Sequence, residues 1–104
     1  MENYVDEIMR KLDTRDVFEI AESAGVKIVY ESWHPTTVGE FERKTRTILM
    51  NRIALEKSDN AKTLKKEIVA HELGHFYAID LKLERKEEER FARAFAERLL
   101  ENGR

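Results

Sequence analysis

Two histidines four residues apart, His71 and His75, stand in a stretch whose local preferences are almost all helical. No other feature constrains the fold of this chain so tightly. On a helix the pair projects from one face, and both imidazoles can share one metal ion. A catalytic zinc usually takes three protein ligands and leaves its fourth position to water. The chain has no cysteine and only one further histidine, His34, so a carboxylate is the natural third ligand. Glu87, Glu88 and Glu89 are the candidates. If the helix ran straight through, His75 and Glu89 would lie about 21 Å apart along its axis, beyond the reach of any side chain. A three-ligand site therefore requires the chain to fold back between Asp80 and Lys86, although Asp80 to Arg85 holds neither glycine nor proline. A continuous helix would defeat the metal reading.

Glu72 sits between the histidines in the segment His71-Glu72-Leu73-Gly74-His75. At that position a carboxylate points beside a shared ion, where it can hold a water without readily competing as a ligand. These are the requirements of zinc-assisted peptide hydrolysis: an acidified water, a polarised carbonyl and a carboxylate that takes the proton. The bland alternative is a pair of core histidines on a packed helix. A chance match is expected in about one chain of this length in 300, which favours the chemical reading. The longer pattern HExxHxxGxxH is excluded, since Ala78 and Leu81 stand where its glycine and last histidine belong. The acidic triplet also has a bland role, as a solvated first turn matched to the helix dipole. Helical geometry places Glu88 nearest the centre of the apolar stripe, and spacing alone leaves the choice open.

Elsewhere the pattern is that of one domain over residues 1–104, without repeats or linker-like tracts. Tyr4, Val5, Ile8, Met9 and Leu12 fall at helical spacing. A break at Asp13-Thr14, where either side chain can cap the next helix, precedes a second apolar stripe through Val17, Phe18, Ala21 and Ala24, with Gly25 as helix stop. Val26, Ile28 and Tyr30 then alternate as a strand, and Ser32 to Gly39 reads as a loop. Val38–Glu42 and Thr45–Asn51 are further strands, joined through Arg43-Lys44. Ser58, Asp59 or Asn60 caps the helix carrying Leu64, Ile68, His71, His75 and Ile79. A last helix carries Ala92, Phe95, Ala96, Leu99 and Leu100 and ends at Asn102-Gly103. The expected class is α+β: an N-terminal helical segment, a small, mostly antiparallel sheet and two C-terminal helices.

Composition narrows the setting. Leu, Ile, Val and Phe make up 27 of 104 residues, enough for a core. No apolar run approaches the roughly 18 residues of a membrane span, and the opening residues do not read as a signal peptide. An intracellular, cytoplasmic setting without membrane attachment is expected. Charged residues reach 38% with a net charge of only −2, which argues against a nucleic-acid partner. That charge content, with neither cysteine nor glutamine, suits a thermophilic source.

At the histidine segment the sequence resembles the gluzincin metallopeptidases, in which a second helix gives a glutamate to the HExxH zinc. It is most similar to the compact minigluzincins and the ImmA/IrrE-like peptidase domains, over roughly Val17 to Leu100. Ala70-His71-Glu72-Leu73-Gly74-His75 matches their signature. Ile48-Leu49-Met50-Asn51 resembles the strand before the active-site helix, and Val17 through Tyr30 resembles their opening helix and strand. Their second helix commonly reads E-x-x-A-N-x-F-A-x-x-L-L, which Glu89, Ala92, Phe95, Ala96, Leu99 and Leu100 fit. The resemblance thus implies His71, His75 and Glu89 as zinc ligands, Glu88 as runner-up and Glu72 as general base. Arg93 departs from it by replacing an asparagine. The resemblance also implies an edge strand that binds substrate backbone, matched here by Thr47–Asn51, and a transition-state donor elsewhere in the cleft. Tyr30, His34 and Tyr77 are available for that last role, without spacing evidence.

The expected function is a zinc endopeptidase acting on protein or peptide substrates. The minigluzincin likeness adds a zymogen-like, latent state, as a monomer or a self-associated oligomer. The competing reading is a non-catalytic, zinc-stabilised domain or a regulatory partner-binding protein, because so short a chain leaves little surface for substrate subsites.

Overall fold

The computed structural model describes residues 2–33 and 37–101, and several of its helices begin or end on a chemically legible signal. Helix α1 covers Glu2–Leu12 and α2 covers Val17–Ser23. The cap of α2 is Asp16, not Asp13 or Thr14: its Oδ1 accepts from Phe18 N–H at 2.8 Å and Glu19 N–H at 3.2 Å. Gly25 ends the helix in a left-handed conformation, φ 75°. There Val26 N–H donates to the Ala21 carbonyl and Gly25 N–H to that of Glu22, a Schellman closure. Strands β1 (Lys27–Glu31), β2 (Gly39–Glu42) and β3 (Thr47–Asn51) follow, then a short helix α3 (Arg52–Lys57) that the residue pattern does not announce.

Helix α4 spans Ala61–Ala78, and its cap is Asn60, whose side chain accepts from Thr63 N–H at 3.1 Å. The fold-back required of this region is present. A 3-10 turn at Ile79–Leu81 leads into Lys82, held left-handed at φ 50°, and α5 starts at Arg85 and runs to Leu100. Without a glycine the chain places a lysine in that conformation, and packing of α5 on α4 offsets the local strain. The expected end at Asn102-Gly103 lies outside the described residues.

The sheet order is β1-β3-β2, with β1 parallel and β2 antiparallel to β3. One pairing of each sense makes the sheet mixed, within a small α+β domain as expected. The hairpin β2–β3 turns β3 inward beside β1, and two strands entering from the same side run parallel. Ile48 and Met50 of β3 are fully buried, as are Val69 and Leu73 of α4 and Phe95 of α5. Helix α4 is therefore covered by the sheet on one side and α5 on another. Tyr4, Tyr77, Phe91 and Phe95 close the α1 side of this core in edge-on and stacked contacts. Among the described residues no helix is long and apolar enough to cross a membrane.

Candidate metal centre

The hairpin of α4 and α5 closes because the helices meet at small residues. A Cβ built on Gly74 would lie 2.6 Å from the Ala92 Cα and 3.0 Å from its carbonyl oxygen. Backbone cannot retreat as a flexible side chain does. Gly74 thus sets the helix separation, and with it the position of Glu89 three residues before Ala92. Gly74→Ala is expected to cost about 1–3 kcal/mol through overpacking and to weaken metal binding by displacing Glu89. Urea denaturation and a zinc titration check the two effects; unchanged values in both would contradict this role.

Across that crossing, Glu89 reaches both histidines. Its carboxylate oxygens lie 3.0 Å from His71 Nε2 and 3.1 Å from His75 Nε2. Donor atoms of His71, His75 and Glu89 fall within 4.8 Å of one another, the one such group of three among the described residues. Ligands of a tetrahedral zinc with bonds of about 2.0–2.1 Å are separated by about 3.3 Å. Two imidazoles and a carboxylate converging within 4.8 Å are a donor set that suits such an ion and leaves one of its four positions over.

Glu88 stands on the other side of the His75 ring. His75 Nδ1–H donates to Glu88 Oε2 at 2.7 Å, and Arg43, from the turn between β2 and β3, donates to the same carboxylate. A carboxylate that can only accept fixes the ring's proton on Nδ1 and leaves the Nε2 lone pair facing the Glu89 side. Partial burial pushes the Glu88 carboxyl up, but the bonds with Arg43 and His75 outweigh it and hold it below the usual range. Burial, stronger than the attraction of Glu89, keeps the His71 imidazole easier to deprotonate than usual, and nearby His75 and Arg93 act in the same sense. Neutral imidazole is the form that binds metal.

Glu72 is 8% exposed and lines a cavity of about 320 Å³ together with His71, His75, Glu89 and the β2 residues Gly39 to Phe41. Burial pushes its carboxyl up to about 7, with Glu89 and Glu40 adding to the effect and His75 opposing it. Such a group is poised to accept a proton near neutral pH.

Two sequence expectations meet a different arrangement. Thr47–Asn51 is the central strand, paired on both sides, and offers no free edge for a substrate backbone. The edge beside the cavity is β2, brought close to α4 by Gly39, whose missing Cβ would press 2.5 Å from Ile68 Cγ2. The donor candidates also lie elsewhere. Tyr77 stacks on Phe95 in the core, and exposed Tyr30 sits under the Lys65 ammonium on β1. His34 lies outside the described residues. Sequence reasoning missed Arg43 and the Nδ1 role of Glu88; only the acidic triplet signalled the latter.

A histidine pair on one helix, a glutamate from the next and a mixed sheet alongside define a metallopeptidase-like domain. Residues 21–101 match the family model of the IrrE N-terminal-like domain, a peptidase family, and the chain belongs to that family. No curated protein and no solved structure matches it significantly.

Proposed function

We propose that this chain is a zinc-dependent endopeptidase, acting as one zincin-like unit on protein or peptide substrates. The observation that carries the reading is the convergence of the His71, His75 and Glu89 donor atoms within 4.8 Å, in a cavity that also holds the buried Glu72. His71 and His75 would hold the ion through Nε2 and Glu89 through its carboxylate. When bound, zinc supplies a Lewis acid that polarises the substrate carbonyl and acidifies a water. Glu72 takes the water's proton and delivers it to the leaving amine. Glu88 keeps His75 in its binding tautomer, and Arg43 keeps Glu88 in place. The β2 edge receives an extended substrate backbone by strand addition.

Digestion of an unfolded protein such as casein tests this directly. Hydrolysis is expected, lost after chelation and restored by stoichiometric zinc. Hydrolysis that survives complete chelation would contradict it. Zinc binding with no hydrolysis under any condition would leave a metal-stabilised domain.

A further inference from the structure

Beside the metal cavity lies a larger one of about 720 Å³, and the two share Arg43, His75, Glu88 and Glu89 as walls. Its floor is apolar: Ala78 at the end of α4, Ile79 from the 3-10 turn and Leu83 after it. Its remaining lining is cationic, from Lys82, Arg85 and Lys86. The chain as a whole carries net charge −2, so this concentration of positive charge is local. The two carboxylates in the wall have other roles, Glu89 facing the Nε2 atoms of His71 and His75 as the proposed third metal ligand and Glu88 paired with His75 Nδ1 and Arg43. Lys82, Arg85 and Lys86 make no ion pair among the described residues. Left-handed Lys82 and the start of α5 hold these cations on one rim.

We propose that this cavity is a subsite for a carboxylate of the substrate next to the bond cut. The apolar floor takes the methylenes of a short side chain, and the cationic rim takes its charged end, Arg85 in the paired geometry that guanidinium offers a carboxylate. The carboxylate is an internal glutamate or aspartate, or the free C-terminus of a peptide. This rests on the peptidase reading for its role, but the binding preference can be measured without turnover.

The test uses zinc-loaded full-length Glu72→Gln protein and fluorescent alanine-rich peptides with a central Glu, Gln or Lys, each as free acid and as C-terminal amide. Anisotropy reads binding. The Glu amide is expected to bind about tenfold tighter than the Gln amide, since exposed ion pairs are individually weak and several act together. The gap should shrink with added salt and close in the folded double variant Lys82→Ser/Arg85→Ser. A gain for Gln free acid over Gln amide, with none for internal Glu, would assign the subsite to a chain terminus. Equal binding of the Glu amide, the Gln amide and the Gln free acid, a preference that survives the double substitution, or no binding at all would overturn the proposal. Wild-type hydrolysis measured in parallel separates the two claims. Selective binding without cleavage sinks the peptidase reading alone, and cleavage indifferent to acidic residues sinks the subsite alone.

Discussion

Replacing Glu72 by glutamine is expected to cut peptide hydrolysis about 10²–10⁴-fold, the usual effect of losing a general base, while one zinc per chain stays bound. The same substitution should stabilise the metal-free protein at alkaline pH. Burial raises the folded-state pKa of Glu72 from 4.5 to about 7, so the folded chain holds this proton more tightly than the unfolded chain. Stability is therefore full below about pH 4.5, declines as the pH rises, and levels off above about 7. The loss at pH 8 is about 3 kcal/mol, at 1.36 kcal/mol per tenfold change in proton affinity. Glutamine carries no charge to desolvate and escapes it. Urea melts of chelated wild-type and Glu72→Gln protein at pH 5 and pH 8 check the sign. The variant should gain strongly at pH 8 and little at pH 5; an equal change at both would show that ionisation of Glu72 is not the cause.

The two neighbouring glutamates of α5 should separate cleanly in a zinc competition titration. Glu88→Ala removes the partner of His75 Nδ1, a loss that typically lowers metal affinity about 10–100-fold. Glu89→Ala removes the carboxylate that faces both Nε2 atoms at 3.0 and 3.1 Å, and its effect should lie well beyond that range. Exposed Glu87 serves as the control, and its replacement by alanine should change little. If Glu88→Ala proved the more damaging, the donor assignment would have to move to Glu88 and the geometry around His75 with it.

How much of this could be read from residues alone depends on how far each feature reaches along the chain. The histidine spacing is a property of one helix, and the fold-back follows from a distance no side chain spans, so both are legible without coordinates. The choice between Glu88 and Glu89 is not. Helical periodicity points to Glu88 as the more inward side chain, and its side chain is indeed the more buried, at 13% against 44% exposure. Depth does not decide which nitrogen a carboxylate meets, and Glu88 meets Nδ1. Arg43 reaches Glu88 over 45 residues, a contact that no local pattern encodes. Gly74 reads as a tolerated interruption of a helix until Ala92 is placed against it.

Sheet order shows the same limit. Alternation in Val26 to Tyr30 and the apolar run at Ile48 to Met50 mark strands, yet alternation says nothing about neighbours. The nearly continuous burial of β3, broken only at Leu49, is that of a central strand with partners on both sides, and this excludes it as the substrate edge. Gly39 and its close approach to Ile68 put β2 there instead. A glycine at the start of a short polar strand carries no such message before the helix beneath it is known.

The central claim is a zinc site, and elemental analysis of protein purified without added metal tests it most directly. About one zinc per chain is expected, removed by a strong chelator with a fall in melting temperature and regained on adding zinc. Protein free of metal, with no uptake of zinc and no change in its melting temperature, would contradict the account.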